Sequence, residues 1–307
     1  MRYALSPYGA CYFASLVRLP PADRAHFITA HCSNTMLTPR LAEILQSFDH
    51  VAIAVSGGVY SVTLAEYAHR LLGRARVTML HAVSPAVPGE ATARLAAFGW
   101  DLQVIDAGEM ANPDYVANPV NRCFFCKTSL YAAMRRLTDR VLLSGTNRDD
   151  LGDFRPGLAA AAVHGVRHPF VEADMDKAAV RSLARALGLT AVAELPASPC
   201  LASRIETGIA VAPQLLGFVH AVESLVRAKI GDGLPVRCRV RSSSVVIELG
   251  DEVGAVRPGG GQVRGAAPTN AMTIESLRAE VSTLMAEHGI AKDLSFAPYV
   301  MGSAFLR

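Results

Sequence analysis

The chain has 307 residues, 51% hydrophobic and 19% charged, with a net charge of +3, which is enough apolar material for a substantial core and argues against global disorder. That length suits one large domain or two of ordinary size. Basic residues are dispersed except at Arg237, Arg239 and Arg241, so nucleic acid is not an expected partner. No apolar run is long enough to cross a bilayer, and no clean apolar stretch follows Arg2 as in a secretory leader. Six cysteines are too sparse for a disulfide scaffold, and a cytoplasmic location is expected.

Residues 1–37 place Tyr3, Tyr8, Tyr12 and Phe13 between prolines with no sustained period. They read as an extension of unknown role, with Met36 as an alternative start. From Thr38 the pattern becomes regular. Thr38 is placed to cap a helix that has Pro39 at its first position, and Leu41, Ile44, Leu45 and Phe48 form its apolar face. The β-branched run Val51 to Val55 predicts a strand ending in Ser56-Gly57-Gly58, and a helix through Leu64, Ala68 and Leu71 follows. Strands are predicted at Val77 to Ala82, Leu102 to Ile105 and Val141 to Leu143, with a helix around Thr92 to Phe98 and a longer insertion before the last strand. Asp176 to Leu187 predicts a helix closed by Gly188. The stretch through Pro213 reads as a linker. Beyond it come a helix carrying Leu215, Leu216, Val219, Val222 and Val226, strands at Val236 to Arg241 and Val245 to Leu249, a Gly-rich loop from Pro258 to Gly265, and a last helix near Ile274 to His288.

Strands alternating with helices argue for a parallel sheet covered on both faces, followed by a smaller α+β part. The expected domains are 38–190 for nucleotide binding and 191–307 for sulfur transfer and substrate. Ligands in such sheets sit beyond the carboxyl ends of the strands. Two predicted turns lie there, residues 56–61 and 144–153.

The unit strand–Ser56-Gly57-Gly58-Val59-Tyr60-Ser61–helix has the order of an anion cradle: glycines permit close backbone approach, the helix end is positive, and Ser56 and Ser61 add donors. An ordinary βα turn is the alternative. No Lys-Ser or Lys-Thr closes the loop, which points away from kinases and GTPases toward enzymes that split ATP into AMP and pyrophosphate. Cys123 and Cys126 form a CxxC pair suited to metal or redox work, or to packing. Asp149, Asp150 and Asp153 offer hard oxygen ligands for magnesium or caps for a loop. Arg237, Arg239 and Arg241 alternate along one strand face, as a phosphate site or a solvated face would, and Cys238 points to the core side.

The order of motifs resembles the LarE-type ATP-dependent sulfur transferases of the PP-loop superfamily. The resemblance rests on Ser56 to Ser61, Ser84-Pro85, Asn118-Pro119-Val120-Asn121-Arg122-Cys123-Phe124-Phe125-Cys126-Lys127-Thr128, Gly145 to Gly157, and Pro196-Ala197-Ser198-Pro199-Cys200-Leu201-Ala202-Ser203-Arg204-Ile205. It runs from about Thr38 to Gly302-Ser303. It implies a PP-loop, adenine nucleotide alpha hydrolase-like fold. It also implies an enzyme that adenylates a carboxylate of a pyridinium biscarboxylate mononucleotide in nickel-pincer cofactor synthesis. A sulfur nucleophile then displaces AMP to give a thiocarboxylate.

In that resemblance Cys200 takes the sulfur-donating position. Cys123, Cys126 and Cys200 match members thought to hold a 4Fe-4S cluster, and three thiolates leave one iron open. Ser56, Gly57, Gly58, Ser61, Asp149, Asp150, Asp153, Ser203 and Arg204 are implied to contact ATP and its magnesium or the substrate, while Arg239 and Arg241 are favoured for the substrate phosphate. A homo-oligomer is expected. Tyr60 stands where the family has an aspartate, Ser144 replaces an acidic residue before Gly145, and Glu206-Thr207 replaces Pro-Tyr. A tyrosine is no anion at neutral pH. Two rivals therefore stand beside the sulfur transferase: a diverged PP-loop enzyme that thiolates or amidates another substrate, and a non-catalytic nucleotide-binding paralogue.

Overall fold

The computed structural model describes residues 37–300 except 153, 197–198, 232–233 and 251–270. The expected extension up to residue 36, Asp153 and the Gly-rich loop lie outside the described residues. Helix α1 (Leu37–Gln46) starts one residue before the expected cap, and its predicted face is buried at Leu41, Ile44 and Leu45. It leads into β1 (Val51–Ala54), α2 (Val59–Leu72), β2 (Val77–Val83), α3 (Gly89–Ala96) and β3 (Leu102–Asp106). The insertion before β4 (Val141–Leu143) is helical, with a short α4 (Pro113–Val116) and a long α5 (Arg122–Leu137). After β4 come α6 (Pro156–Val163), α7 (Pro169–Glu172), α8 (Lys177–Ala186) and α9 (Thr190–Ala193). Asp176 caps α8 by accepting from Ala179 N at 2.7 Å.

The first four strands are parallel in the order β3-β2-β1-β4. Successive side chains of a strand point to opposite faces, and β1 shows the consequence. Val51 and Ile53 enter a core with α1, α2 and α8, whereas Ala52 joins Leu80, Leu142, Tyr131 and Met134 beneath α5. Both faces are covered, as a parallel sheet requires. The connection from β1 to β2 runs one way and β4 lies on the other side of β1, so the strand order reverses between β1 and β4. A crevice at the carboxyl ends is expected at such a reversal.

Helix α10 (Pro213–Ile230), β5 (Val236–Val240), β6 (Ser244–Leu249), α11 (Ala271–Glu287) and β7 (Asp293–Pro298) form the second part, with a three-stranded sheet ordered β5-β6-β7. β5 and β6 are antiparallel and β6 and β7 parallel. The stretch expected as a linker before Pro213 is folded instead. Leu201, Ala202, Ile205 and Val211 are buried in the second core, and Ile205 pairs with Val240. Its Pro, Ala and Ser content hid a 3-10 turn, Leu201–Arg204. Among the described residues no helix is long and apolar enough to cross a membrane.

Candidate functional site

The turn from β1 into α2 begins at Val55, whose N–H bonds Leu80 O at 2.9 Å. His81, buried on β2, lies 2.8 Å from Val55 O and 2.9 Å from Thr92 Oγ1. The carbonyl can only accept, so His81 donates to it from Nδ1. Gly57 has φ +79, and a Cβ there would lie 3.0 Å from Ala91 Cβ. Its carbonyl accepts from Arg94 Nη1 at 2.8 Å. Gly58 caps α2 with φ −84. Ser61 Oγ donates to Gly58 O at 3.2 Å, accepts from Ser56 N at 3.1 Å and meets Ser56 Oγ at 3.1 Å. These bonds hold the first turn of α2 with its unpaired N–H groups at the carboxyl rim, where an anion is favoured.

The loop after β4 closes on that turn. A Cβ on Gly145 would sit 2.7 Å from Ser61 N and from Tyr60 C, so the two backbones touch. Beside it Ser144 Oγ lies 2.8 Å from His168 Nδ1 and 3.0 Å from Thr146 Oγ1. Burial holds the His168 pKa below the ordinary imidazole range despite the nearby Glu172 and Asp150, so the ring is neutral at pH 7. Asp150 is buried, 2.9 Å from Arg155 and 3.6 Å from Lys177, and accepts from Asn147 N at 3.2 Å. Asp149 Oδ2 accepts from Lys177 N at 3.1 Å. Both aspartates are thus engaged in tying their loop to itself and to the start of α8. Tyr60 packs half-buried against the first core with the Arg181 guanidinium 5.9 Å from its ring.

A second constellation forms around sulfur. Cys123 and Cys126 sit three residues apart on the first turn of α5, on one helix face. Asn118, fully buried with φ 55, ties the start of α5 to the segment after Cys200. Its amide donates to Glu206 O and Ile209 O, each at 2.8 Å, and its own carbonyl accepts from Gly208 N at 2.9 Å. Leu201 N donates to Ala86 O at 2.9 Å, which fixes the Cys200 turn just beyond the carboxyl end of β2. Tyr115, Cys126 and Cys200 meet the same apolar core.

The three sulfurs lie within one another's electrostatic reach. Burial and the Cys200 charge raise Cys123 and push Cys126 up to about 12. Burial disfavours the Lys127 ammonium, but Tyr131 and the three thiols outweigh it and raise its pKa. Tyr115 is held above the ordinary phenol range by burial, then by Cys200 and Cys126. Among the described residues Cys123, Cys126, Cys200 and Cys238 are free. Among the described residues no group of three or more His, Cys, Asp or Glu side chains is placed to hold a metal ion. The thiols are the right donors for a cluster, but their present spacing is not a ready chelate.

Ser203 and Arg204 follow Cys200 in the Leu201–Arg204 turn, and Arg204 turns inward. It is 1% exposed, pairs with Glu223 through Nε (2.8 Å) and Nη2 (3.0 Å), and donates through Nη1 to Pro199 O (2.7 Å), Cys200 O (3.2 Å) and Ser203 Oγ (3.0 Å). The basic face of β5 is buried rather than solvated. Arg239 bonds Glu248 at 2.9 Å, Ser203 O at 3.1 Å and Val300 O at 3.2 Å, while Arg241, just past the strand, keeps a partly exposed side chain 3.9 Å from Glu248. Burial and the Arg204 charge lower Arg237 to about 10. Cys238 is in the core, as its register predicts.

A cavity of about 550 Å³ opens at the carboxyl ends of β2 and β3, lined by Val83, Ser84, Pro85, Asp106, Gly108 and Met110 among others. Another of similar volume, near Phe48, His50, Asp139 and Arg140, lies away from every expected site residue.

No family model matches the sequence. The chain is 37% identical over 228 residues to an uncharacterized protein of Synechocystis, a match covering 71% of this chain and 84% of that protein. This chain belongs to that protein's family. The family is LarE-like: the pyridinium-3,5-bisthiocarboxylic acid mononucleotide synthase of Lactiplantibacillus plantarum is 29% identical over 218 residues, covering 68% of this chain and 78% of the synthase. An uncharacterized protein of Methanocaldococcus jannaschii is 25% identical over 145 residues, 46% of this chain and 56% of its own length.

In this LarE-like chain, sequence reasoning passed over the parts that assemble the site. Asn118 and Gly145 were read only as letters of motifs. The positive φ of one and the backbone contact of the other are legible only with their distant partners. Tyr115 and Glu223 carried no local signal at all.

Proposed function

We propose that this LarE-like chain is a PP-loop sulfur transferase that activates a carboxylate with ATP and replaces the bound AMP by sulfur from Cys200. The substrate it fits is the pyridinium biscarboxylate mononucleotide, whose sulfur-bearing product is named in the synthase of Lactiplantibacillus plantarum. One observation carries the reading: the bond from Leu201 N to Ala86 O holds the Cys200 turn at the same sheet rim as the Ser56–Ser61 cradle. An acyl adenylate formed at the cradle is then within the compass of a thiol nucleophile.

The cradle's amides and the positive end of α2 would hold the departing pyrophosphate, and the cavity beyond β2 and β3 is of a size for the nucleoside. Substrate carboxylate attacks the α-phosphorus and pyrophosphate leaves. Cys200 Sγ then attacks the acyl carbon and AMP leaves with the electron pair of the C–O bond; loss of the Cα proton of residue 200 breaks the Cβ–Sγ bond, which releases the thiocarboxylate and leaves dehydroalanine. Magnesium entering with ATP supplies positive charge. Asp149 and Asp150 are engaged elsewhere, so no step is assigned to a metal held by them.

The test separates the two half-reactions. Cys200→Ser should still exchange labelled pyrophosphate into ATP in the presence of the substrate, and should form no thiocarboxylate by mass spectrometry. Sulfur transfer by Cys200→Ser would remove the donor assignment. Nucleotide binding without exchange in the wild type would leave a non-catalytic binder.

A further inference from the structure

Helix α3 grips the cradle turn from outside. Ala91 Cβ, Cα and O stand 3.0–3.3 Å from where a Cβ on Gly57 would be, and His81 bridges Val55 O and Thr92 Oγ1. Three residues after Ala91, and so on the same side of the helix, the half-buried Arg94 donates from Nη1 to Gly57 O at 2.8 Å. Among the described residues no carboxylate pairs with this guanidinium. The bond falls on a peptide unit that joins two glycines. At its other side the Gly58 N–H has no acceptor among the described residues. A planar trans peptide points its C=O and its N–H in opposite directions. With Gly57 O turned to Arg94, the Gly58 N–H is turned away from α3, at the N-terminal end of α2.

We propose, resting on the ATP-binding reading of the Ser56–Ser61 turn, that Arg94 is a positioning residue that locks the Gly57–Gly58 peptide with its N–H toward the phosphates. Rotating this one plane by half a turn changes only Gly57 ψ and Gly58 φ. Gly58 now has φ −84 and ψ 165. The rotation would carry its φ to about +96°, a region essentially reserved for glycine at that ψ. Both residues are glycines, so sterics do not forbid the turned state. In it a carbonyl dipole, rather than an N–H, faces the anion, and the cradle repels what it should hold. The Arg94 bond decides the balance, because a hydrogen bond from a charged donor is worth about tenfold to a hundredfold in such an equilibrium.

Removing the guanidinium lets the turned state fill, and the apparent affinity for a phosphate falls with the fraction of chains still competent. A side chain at position 58 acts on the same balance from the other end. A Cβ there fits the present conformation, with only Ser56 Oγ at 3.6 Å, and closes the turned one. Gly58→Ala therefore replaces the lock of Arg94 without replacing its charge. An Arg94 that acted by charge alone, or only by holding α3 in place, would not be repaired in this way.

Isothermal titration of the full-length protein with magnesium ATP, and separately with inorganic pyrophosphate, tests the lock. Arg94→Met, its fold checked by circular dichroism, should weaken both ligands about tenfold or more. Adding Gly58→Ala to that variant should recover most of the lost affinity without raising the melting temperature. Arg94→Lys, which keeps the charge on a single point donor, should fall between, and it carries the same comparison if the methionine variant does not fold. Unchanged affinity in Arg94→Met, or a loss that Gly58→Ala leaves in place, would overturn the lock while the nucleotide site stands. Wild-type protein that binds neither ATP nor pyrophosphate removes the nucleotide reading, and the lock with it.

Discussion

Gly145→Ala puts the joint between β4 and the cradle under direct strain. The new methyl would stand 2.7 Å from Ser61 N and from Tyr60 C, and 2.9 Å from Ser61 Cα. All three are backbone atoms, so no rotamer change relieves the contact. Ordinary contact begins at 3.4 Å, and the first turn of α2 must therefore retreat by about 0.7 Å. Over-packing of this kind costs about 1–3 kcal/mol. The displaced turn is also the one that holds the phosphates, and a misplacement near 1 Å can cost on the order of a hundredfold in rate. Urea denaturation should show the stability loss with unchanged m, and pyrophosphate exchange should fall further than folding alone explains. Wild-type stability together with wild-type exchange would refute the close contact and the placement of the anion at this turn.

The two loop glycines should separate: Gly57→Ala meets a positive φ worth about 1–2 kcal/mol and the Ala91 methyl, while Gly58→Ala, at φ −84 with only Ser56 Oγ at 3.6 Å, should cost within about 1 kcal/mol by thermal melting. Arg204→Met leaves the fully buried Glu223 carboxylate without its bidentate partner and should cost about 3–5 kcal/mol. Burial alone would raise the Glu223 pKa, but Arg204, Arg227 and Cys238 N–H override it and hold it low. Its contribution is therefore present above the ordinary Glu range and lost as pH falls through the lower folded value, which Glu223→Gln should abolish in a pH series of denaturation curves. His168 runs in the same direction from a different cause. Its pKa is lowered by burial, so the unfolded chain binds more protons and stability should decline as pH drops below about 6.5. His168→Gln should flatten that decline in part, the remainder belonging to His69, lowered by burial as well.

What the sequence revealed follows the range of the forces involved. Val51 to Ala54, the glycines after it and the α2 face are set by local periodicity, and they read correctly along with the parallel sheet. The helices of the insertion were not foreseen, because a CxxC and a loop-like Asn-Pro masked their start. Residues up to Pro213 read as a linker, since Leu201 and Ile205 show their value only against Val240 and α10. Alternation on β5 placed Cys238 inward and the arginines on the opposite face. Whether that face meets water depended on Glu248, Ser203 and Val300, far along the chain. At the cradle, both glycines were expected to permit close backbone approach, and only Gly57 takes a positive φ.

Asn118 also bears on how the protein ages. Asparagine decays when the backbone nitrogen of the next residue attacks the side-chain carbonyl and closes a succinimide, which opens to aspartate or isoaspartate. Here the next residue is Pro119, whose nitrogen has no hydrogen to give up. The amide that donates to Glu206 O and Ile209 O is thereby shielded from the commonest spontaneous lesion of its residue type. An aspartate in its place would turn an acceptor toward two carbonyls and unfasten the cysteine helix from the Cys200 segment. The proline after the stitch acts as a chemical preservative for it, and old protein should keep its thiols in register.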